Sequence, residues 1–151
     1  MKLQLIKIGK PAYPEYQKLY SKFEQKISNY NPYEFKVLKA SHGLEKSTEQ
    51  LNKHLYSNKK TKTICCDERG EPWTSLTLAK NLQSWKDCPS TQSVHIVIGG
   101  PYGLSEETKN QADFLWSVAP GVLPSDLACL VVHEQLYRAF SILAGSSYHH
   151  E

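Results

Sequence analysis

Residues 94–98, VHIVI, form a β-branched run with one polar interruption, followed at once by the turn GGPYGL and then by SEE. A short apolar run with a glycine turn behind it reads as a strand buried on both faces. Such a strand needs helices above and below it, which restricts the chain to α/β architectures. The remaining segments supply the alternation that this demands. KLQLIKI (2–8) reads as an opening strand, and YEFKVLKA (33–40) as a second. Between them, Tyr16, Leu19, Tyr20, Phe23 and Ile27 recur at helical spacing from Pro14 to Ile27. A polar, weakly helical stretch runs from about Leu44 to Ser57, and KTICCD (62–67) is a short buried strand closed by a turn, ERGEPW. Leu76, Leu78, Leu82 and Trp85 mark an amphipathic helix over 75–86. Ser105 with Glu106 and Glu107 starts a further helix over 105–116, and Asp126 to Leu143 is the longest periodic segment. With 151 residues and no repeat or linker, residues 1–151 are expected to form a single α/β domain on a parallel sheet.

The glycine turn lies where open α/β sheets bind ligands, beyond the carboxyl end of a strand. Gly99, Gly100 and Gly103 match neither the G-x-G-x-x-G of dinucleotide loops nor the lysine-bearing P-loop, which disfavours a phosphate cradle. A tight strand-to-helix connection without a ligand accounts for this turn equally well. A second glycine- and proline-bearing turn, VAPGVLPS (118–125), favours a pocket walled by the two.

Charge and cysteine usage narrow the setting. The formal net charge of +3 permits a polyanionic partner without requiring one. Lys18, Lys22 and Lys26 make one basic stripe on the first helix, and Lys53, Lys59, Lys60 and Lys62 a second cluster. A solvated face is the ordinary reading of such lysines, while their grouping also suits RNA phosphates. No run approaches the roughly 18 apolar residues that span a bilayer, and lysines break any leader in MKLQLIKIG, so a cytoplasmic protein is expected. Cys65, Cys66, Cys88 and Cys129 have no CxxC spacing and are expected as reduced thiols. His133, His149 and His150 match no zinc spacing, so no metal is expected, and His95 reads as a satisfied sheet residue. Glu134 and Arg138 stand i, i+4, as a surface pair or as part of an active site or dimer interface.

IGGPYGL after a strand, then LPS, EQLYRAFSI and a terminal YHHE, together resemble the ribosomal RNA large-subunit methyltransferase H family of the SPOUT superfamily. The resemblance covers the whole chain. It implies a C-terminal trefoil knot, which no periodicity suggests, and homodimers that transfer a methyl group from S-adenosylmethionine. The implied acceptor is N3 of a pseudouridine in 23S rRNA of assembled ribosomes. Carried over by position, the cofactor site comprises Cys66, Gly99 and the run Val118, Ala119, Pro120, Gly121, Val122 and Leu123, acting through backbone. Tyr148 is expected to stack on a base and His149 to contact the target or accept its proton, as catalytic residues. Lys18, Lys22, Lys26 and His150 are the expected RNA contacts. This chain departs from the family at Ser125, usually histidine, and at Cys129 and His150, usually arginines, which weakens anion clamping. The rival reading is a non-catalytic RNA-binding or ribosome-assembly factor that kept the fold.

Overall fold

The computed structural model of the chain describes residues 1–40 and 44–150, the side chains of 44–47 excepted. Ten elements follow in order: β1 (Lys2–Ile8), α1 (Pro14–Ser28), β2 (Tyr33–Leu38), α2 (Leu44–Tyr56), β3 (Thr61–Pro72), α3 (Ser75–Asp87), β4 (Ser93–Ile98), α4 (Glu106–Gln111), β5 (Phe114–Ser117) and α5 (Ser125–Leu143). The five strands make one parallel sheet in the order β2-β1-β4-β3-β5. Helix starts are locally encoded. Pro14 occupies the first turn of α1. Thr74 and Ser105 cap α3 and α4 by accepting from Thr77 N and Thr108 N.

The expectation of a two-faced sheet holds, and alternation along each strand sorts its residues between two cores. Leu3, Leu5, Ile64, Val94 and Ile96 point to the face covered by α1, α3 and α5, where Tyr20, Leu82 and Leu136 complete the larger core. Ile6, Cys65 and Val97 point the other way, against Leu51 and Leu55 of α2. VHIVI is β4 and lies next to β1 in the middle of the sheet, as its apolar character requires.

Two segments differ from the sequence reading. The helix expected over 105–116 stops at Gln111, and residues 114–117 are β5. Asp113 decides this: its backbone N–H donates to Thr63 O at 2.9 Å and its Oδ2 accepts from Thr63 N at 2.8 Å, which docks Phe114 beside Ile64. The expected turn ERGEPW belongs to β3, which bulges after Cys66 and re-pairs Glu71 with Trp116 and Pro72 with Ser117. Gly70 permits this close approach, since a Cβ there would stand 2.6 Å from the Leu115 carbonyl carbon. Leu19 and Leu76, at core spacing on their helices, are instead exposed.

Buried polar groups sit at defined posts. The Lys7 ammonium, 2% exposed, lies 2.8 Å from Asp126 Oδ1 and donates to Gly9 O at 2.8 Å. Asp126 also accepts from Ala12 N, which ties the first loop to the start of α5. His133 is fully buried on α5, its Nδ1 donating to Cys129 O at 2.9 Å, and burial holds its pKa down to about 4. His95 is not the satisfied sheet residue expected. It stacks on His54 at 5.5 Å between ring centroids, its Nδ1 has no protein partner, and burial holds its pKa down to about 4. The α2 ring stacked on it is itself engaged elsewhere, His54 Nε2 lying 3.0 Å from Gln4 Oε1. All four cysteines are free.

Candidate functional site

Because the sheet is parallel, β3, β4 and β5 deliver their carboxyl ends to the same edge. The segments that leave them enclose a cavity of about 690 Å³. Of the residues expected there, Cys66, Gly99, Val118, Ala119, Gly121, Val122 and Leu123 line it, from three loops. Pro120 is exposed and is not among the lining residues. The sequence reading thus assembles in space, with that one position displaced.

Gly99 has a role different from simple backbone exposure. A Cβ on it would lie 2.6 Å from the carbonyl carbon of Gly103, so the turn closes on itself only with glycine there. Gly103 N–H donates to Gly100 O at 2.9 Å, and Gly103 takes the left-handed φ of 72°. The Gly99 carbonyl accepts from Ser125 Oγ at 2.7 Å. Ser125, one of the departures from the family pattern, thereby fastens the start of α5 to the glycine turn. Cys129, another departure, is fully buried and lines neither this cavity nor the neighbouring one.

Sequence reasoning missed a charged wall. Asp67 and Arg69, in the β3 bulge, and Lys109 of α4 also line the cavity. Lys109 Nζ lies 2.8 Å from Asp67 Oδ2 and 2.9 Å from Glu106 Oε1, and Arg69 Nε donates to Asp67 Oδ1 at 3.3 Å. Burial opposes ionisation of Asp67, yet the Lys109 and Arg69 donors outweigh it and hold the carboxyl down to about 2. The cavity is thus lined both by an ionised carboxylate and by apolar Val118, Leu123 and Ala128. No local motif signals this wall, because Asp67 and Lys109 are 42 residues apart.

The chain terminus is docked on α5. Arg138 donates from Nε and Nη2 to Glu134 Oε1, at 2.9 and 2.6 Å. Tyr148 OH donates to the same oxygen at 3.1 Å, and the guanidinium stands 4.7 Å from the Tyr148 ring centroid. The ring of Tyr148 also meets Tyr137 edge-on at 4.7 Å. Burial, and then the Glu134 hydrogen bond, push the Tyr148 phenol up. Arg138 Nη1 lies 3.3 Å from His149 Nδ1. Arginine can only donate, so Nδ1 accepts and the neutral ring carries its proton on Nε2. The Glu134–Arg138 pair is therefore both an i, i+4 pair and the anchor of the tail.

Tyr148 and His149 do not line the first cavity. His149 lines a second one, of about 510 Å³, with Trp73, Trp116 and Gln135. Val118 lines both, so the two cavities meet at that residue. His150 is exposed, as are Lys18, Lys22 and Lys26 along α1, with Lys26 Nζ 5.2 Å from the Tyr137 ring centroid. The second lysine group is dispersed, Lys62 being paired with Asp113 at 3.3 Å. Among the described residues no helix is long and apolar enough to cross a membrane, and no cluster of metal-ligating side chains is present.

Comparison with known proteins adds to this geometry. A sequence profile of the family described as "Predicted SPOUT methyltransferase" matches residues 1–149. The chain is 36% identical over 154 residues to ribosomal RNA large subunit methyltransferase H of Maridesulfovibrio salexigens, covering 99% of this chain and 98% of that protein. It is 32% identical over 158 residues to the protein of the same name from Syntrophobacter fumaroxidans, covering 99% of each. Among solved structures, a probable methylase family protein from Haemophilus influenzae Rd KW20 superposes with a TM-score of 0.59 at 12% identity, over 99% of this chain and 70% of that one. A hypothetical protein superposes with a TM-score of 0.54 at 16% identity, over 94% and 88%. The structural likenesses bear on the fold alone.

Proposed function

The chain belongs to the SPOUT methyltransferase family, and on that premise we propose that it is an S-adenosylmethionine-dependent methyltransferase acting on large-subunit ribosomal RNA. The finer reading is methyl transfer to N3 of a pseudouridine in 23S rRNA, within assembled ribosomes. A cytoplasmic homodimer carrying the family's C-terminal knot belongs to the same reading. The observation that carries it is the meeting of three loops, from β3, β4 and β5, around one cavity at the carboxyl edge of the sheet.

That cavity fits the donor on its own chemistry. Its apolar lining, with Val118, Leu123 and Ala128, suits an adenine, and the main chain of the glycine and proline turns suits the polar edge of the base. The ionised Asp67 and its lysine and arginine neighbours suit a ribose diol and an amino-acid head group. When bound, S-adenosylmethionine supplies a methyl on a sulfonium, already activated for displacement. What remains for the chain is positioning, exclusion of water and management of the N3 proton.

Tyr148 and His149 are the residues we assign to the acceptor. Docked on α5, Tyr148 packs against Tyr137 and Arg138, and its neighbour His149 lines the second cavity, which shares Val118 with the first. With Arg138 donating into Nδ1, the resting His149 holds its proton at Nε2. Acceptance of the N3 proton at Nδ1 therefore requires that the Arg138 contact open, and Nε2, which the fold encloses, reaches a uracil carbonyl or a phosphate only with a movement of the tail. Both roles we give to His149, positioning of the base and acceptance of its proton, accordingly follow a shift of the tail on RNA binding.

Two measurements test the function. Calorimetric titration with S-adenosylhomocysteine is expected to show one saturable site, and absence of binding would favour the non-catalytic assembly factor. Methylation of ribosomes lacking the mark, mapped by mass spectrometry, is expected to place one methyl on N3 of a 23S pseudouridine. A methyl elsewhere would overturn the assignment of the target.

A further inference from the structure

A third concavity, of about 610 Å³, lies at the carboxyl ends of β1 and β2, on the same edge of the sheet as the donor cavity. It is lined by Lys10, Tyr13, Gln17, Val37 and Lys39, together with Pro11 and Pro14, so that among the described residues its lining includes two lysines and no carboxylate. Tyr13 is 64% exposed, an unusual position for a ring that has neighbours to pack on.

The loop that carries it is held stiffly. Gly9 N–H donates to Leu38 O at 2.7 Å, which keeps the exits of β1 and β2 side by side, and Gly9 adopts the left-handed φ of 91°. Ala12 N–H donates to Asp126 Oδ2 at 2.8 Å, the two residues being 114 apart in sequence. Pro11 and Pro14 flank the aromatic residue and Tyr13 O accepts from Tyr16 N, so the backbone beneath the ring has little freedom left to lose. A pre-ordered, exposed aromatic ring in a groove that two lysines also line is the arrangement that takes a base on the ring and phosphates on the lysines. The same loop is fastened to the donor cavity, because Asp126 follows Ser125, which lines that cavity and binds the Gly99 carbonyl.

We propose that this groove is a docking site for a single-stranded segment of the RNA substrate next to the target nucleotide, with a base stacked on Tyr13 and backbone phosphates on Lys10 and Lys39. The proposal rests on the reading of the chain as an RNA methyltransferase and adds to it a positioning surface separate from both cavities already described. Charge complementarity and the exposed ring together favour single-stranded RNA over a protein surface.

The test compares Tyr13→Ala, Tyr13→Trp and the double variant Lys10→Ala/Lys39→Ala with the parent chain, on ribosomes lacking the methyl mark. Tyr13→Ala is expected to raise the KM for ribosomes about tenfold, with kcat within twofold of the parent, and Tyr13→Trp to restore it. Loss of the two lysines is expected to flatten the dependence of log affinity on log salt by about 1 to 1.5. S-adenosylhomocysteine affinity is expected to be unchanged in all three, which also establishes that each variant is folded. An unaltered KM in Tyr13→Ala, or failure of Tyr13→Trp to restore it, overturns the stacking role. An unaltered salt slope overturns the phosphate contacts. Ultraviolet crosslinking through Tyr13 to a ribosomal protein, instead of to 23S rRNA, overturns the choice of RNA as occupant. If the parent chain fails to bind S-adenosylhomocysteine, it is the enzymatic reading that falls.

Discussion

The three-loop cavity and the docked tail, whose His149 lines a second cavity sharing Val118 with the first, are built on opposite terms. Around the three-loop cavity, glycine and proline turns present main chain, and a side chain such as Cys66 lines it where the β3 bulge begins. At the terminus almost everything is side chain: Glu134 holds Arg138 and Tyr148, and Arg138 holds His149. A site of the first kind is insensitive to most substitutions and intolerant of a Cβ where two backbones meet. A site of the second kind loses function one interaction at a time.

The sharpest test of that contrast is Gly99→Val. Its Cβ would overlap Gly103, so the turn must open, with an expected cost of about 3 kcal/mol or more and loss of measurable S-adenosylhomocysteine binding by calorimetry. Gly121→Ala is the control, because no atom lies within 4 Å of the added Cβ, and it is expected to bind as the parent does. If Gly121→Ala were as damaging, the closure of the glycine turn would not explain the effect.

The next effect concerns the foundation of the terminus. His133 on α5 is neutral when folded, with its pKa held at about 4 by burial, against about 6.5 in an unfolded chain. Between those values the unfolded state binds the extra proton, so stability falls as pH drops from 6.5 towards 4. The loss approaches about 3 kcal/mol below that window. Thermal melts across this range are expected to show a shallower pH dependence in His133→Phe than in the parent. Identical slopes would assign the acid sensitivity elsewhere, His95 being the next group to examine.

Arg138→Ala comes third. It removes the tie to His149 and one partner of Glu134, and methyl transfer is expected to fall about a hundredfold, about 2.7 kcal/mol in the barrier, while S-adenosylhomocysteine still binds. Equal losses in binding and transfer would mean that the tail supports the cavity itself. Smallest is Cys66→Ala, where the wall is mainly backbone: affinity is expected to stay within about threefold by the same titration.

Much of the contrast was legible beforehand, and the reasons differ by region. VHIVI and the glycine turn are local signals, and a local signal survives into the fold, which is why β4 and the turn behind it fall where expected. β5 escaped notice because four residues carry no period of their own and continue the helical pattern of α4. The β3 bulge escaped because Gly70 and Pro72 read as a turn until β5 is there to pair with. Asp67 and Lys109 are ordinary surface charges in one dimension and become a wall only when β3 and α4 share an edge. The docking of the tail is of that kind too: Glu134 and Arg138 announce a pair, but nothing in their spacing announces Tyr148 as a third member.

The ion pair between Lys7 and Asp126 bears on the order in which this molecule can come into being. Lys7 sits on β1, beside the sheet's centre, and is buried on a strand synthesised well before α5. Its counter-ion belongs to the last helix, and the loop next to it is fastened by that same carboxylate across 114 residues. An ammonium enclosed without its partner is strongly unfavourable, so the amino-terminal half has no stable end state of its own while α5 is missing. β1 must also wait for β4 before its second edge is paired. The nascent chain is thus committed to finishing late, with long-range closures that slow folding, and truncation before Asp126 leaves a chain that cannot settle rather than a smaller domain.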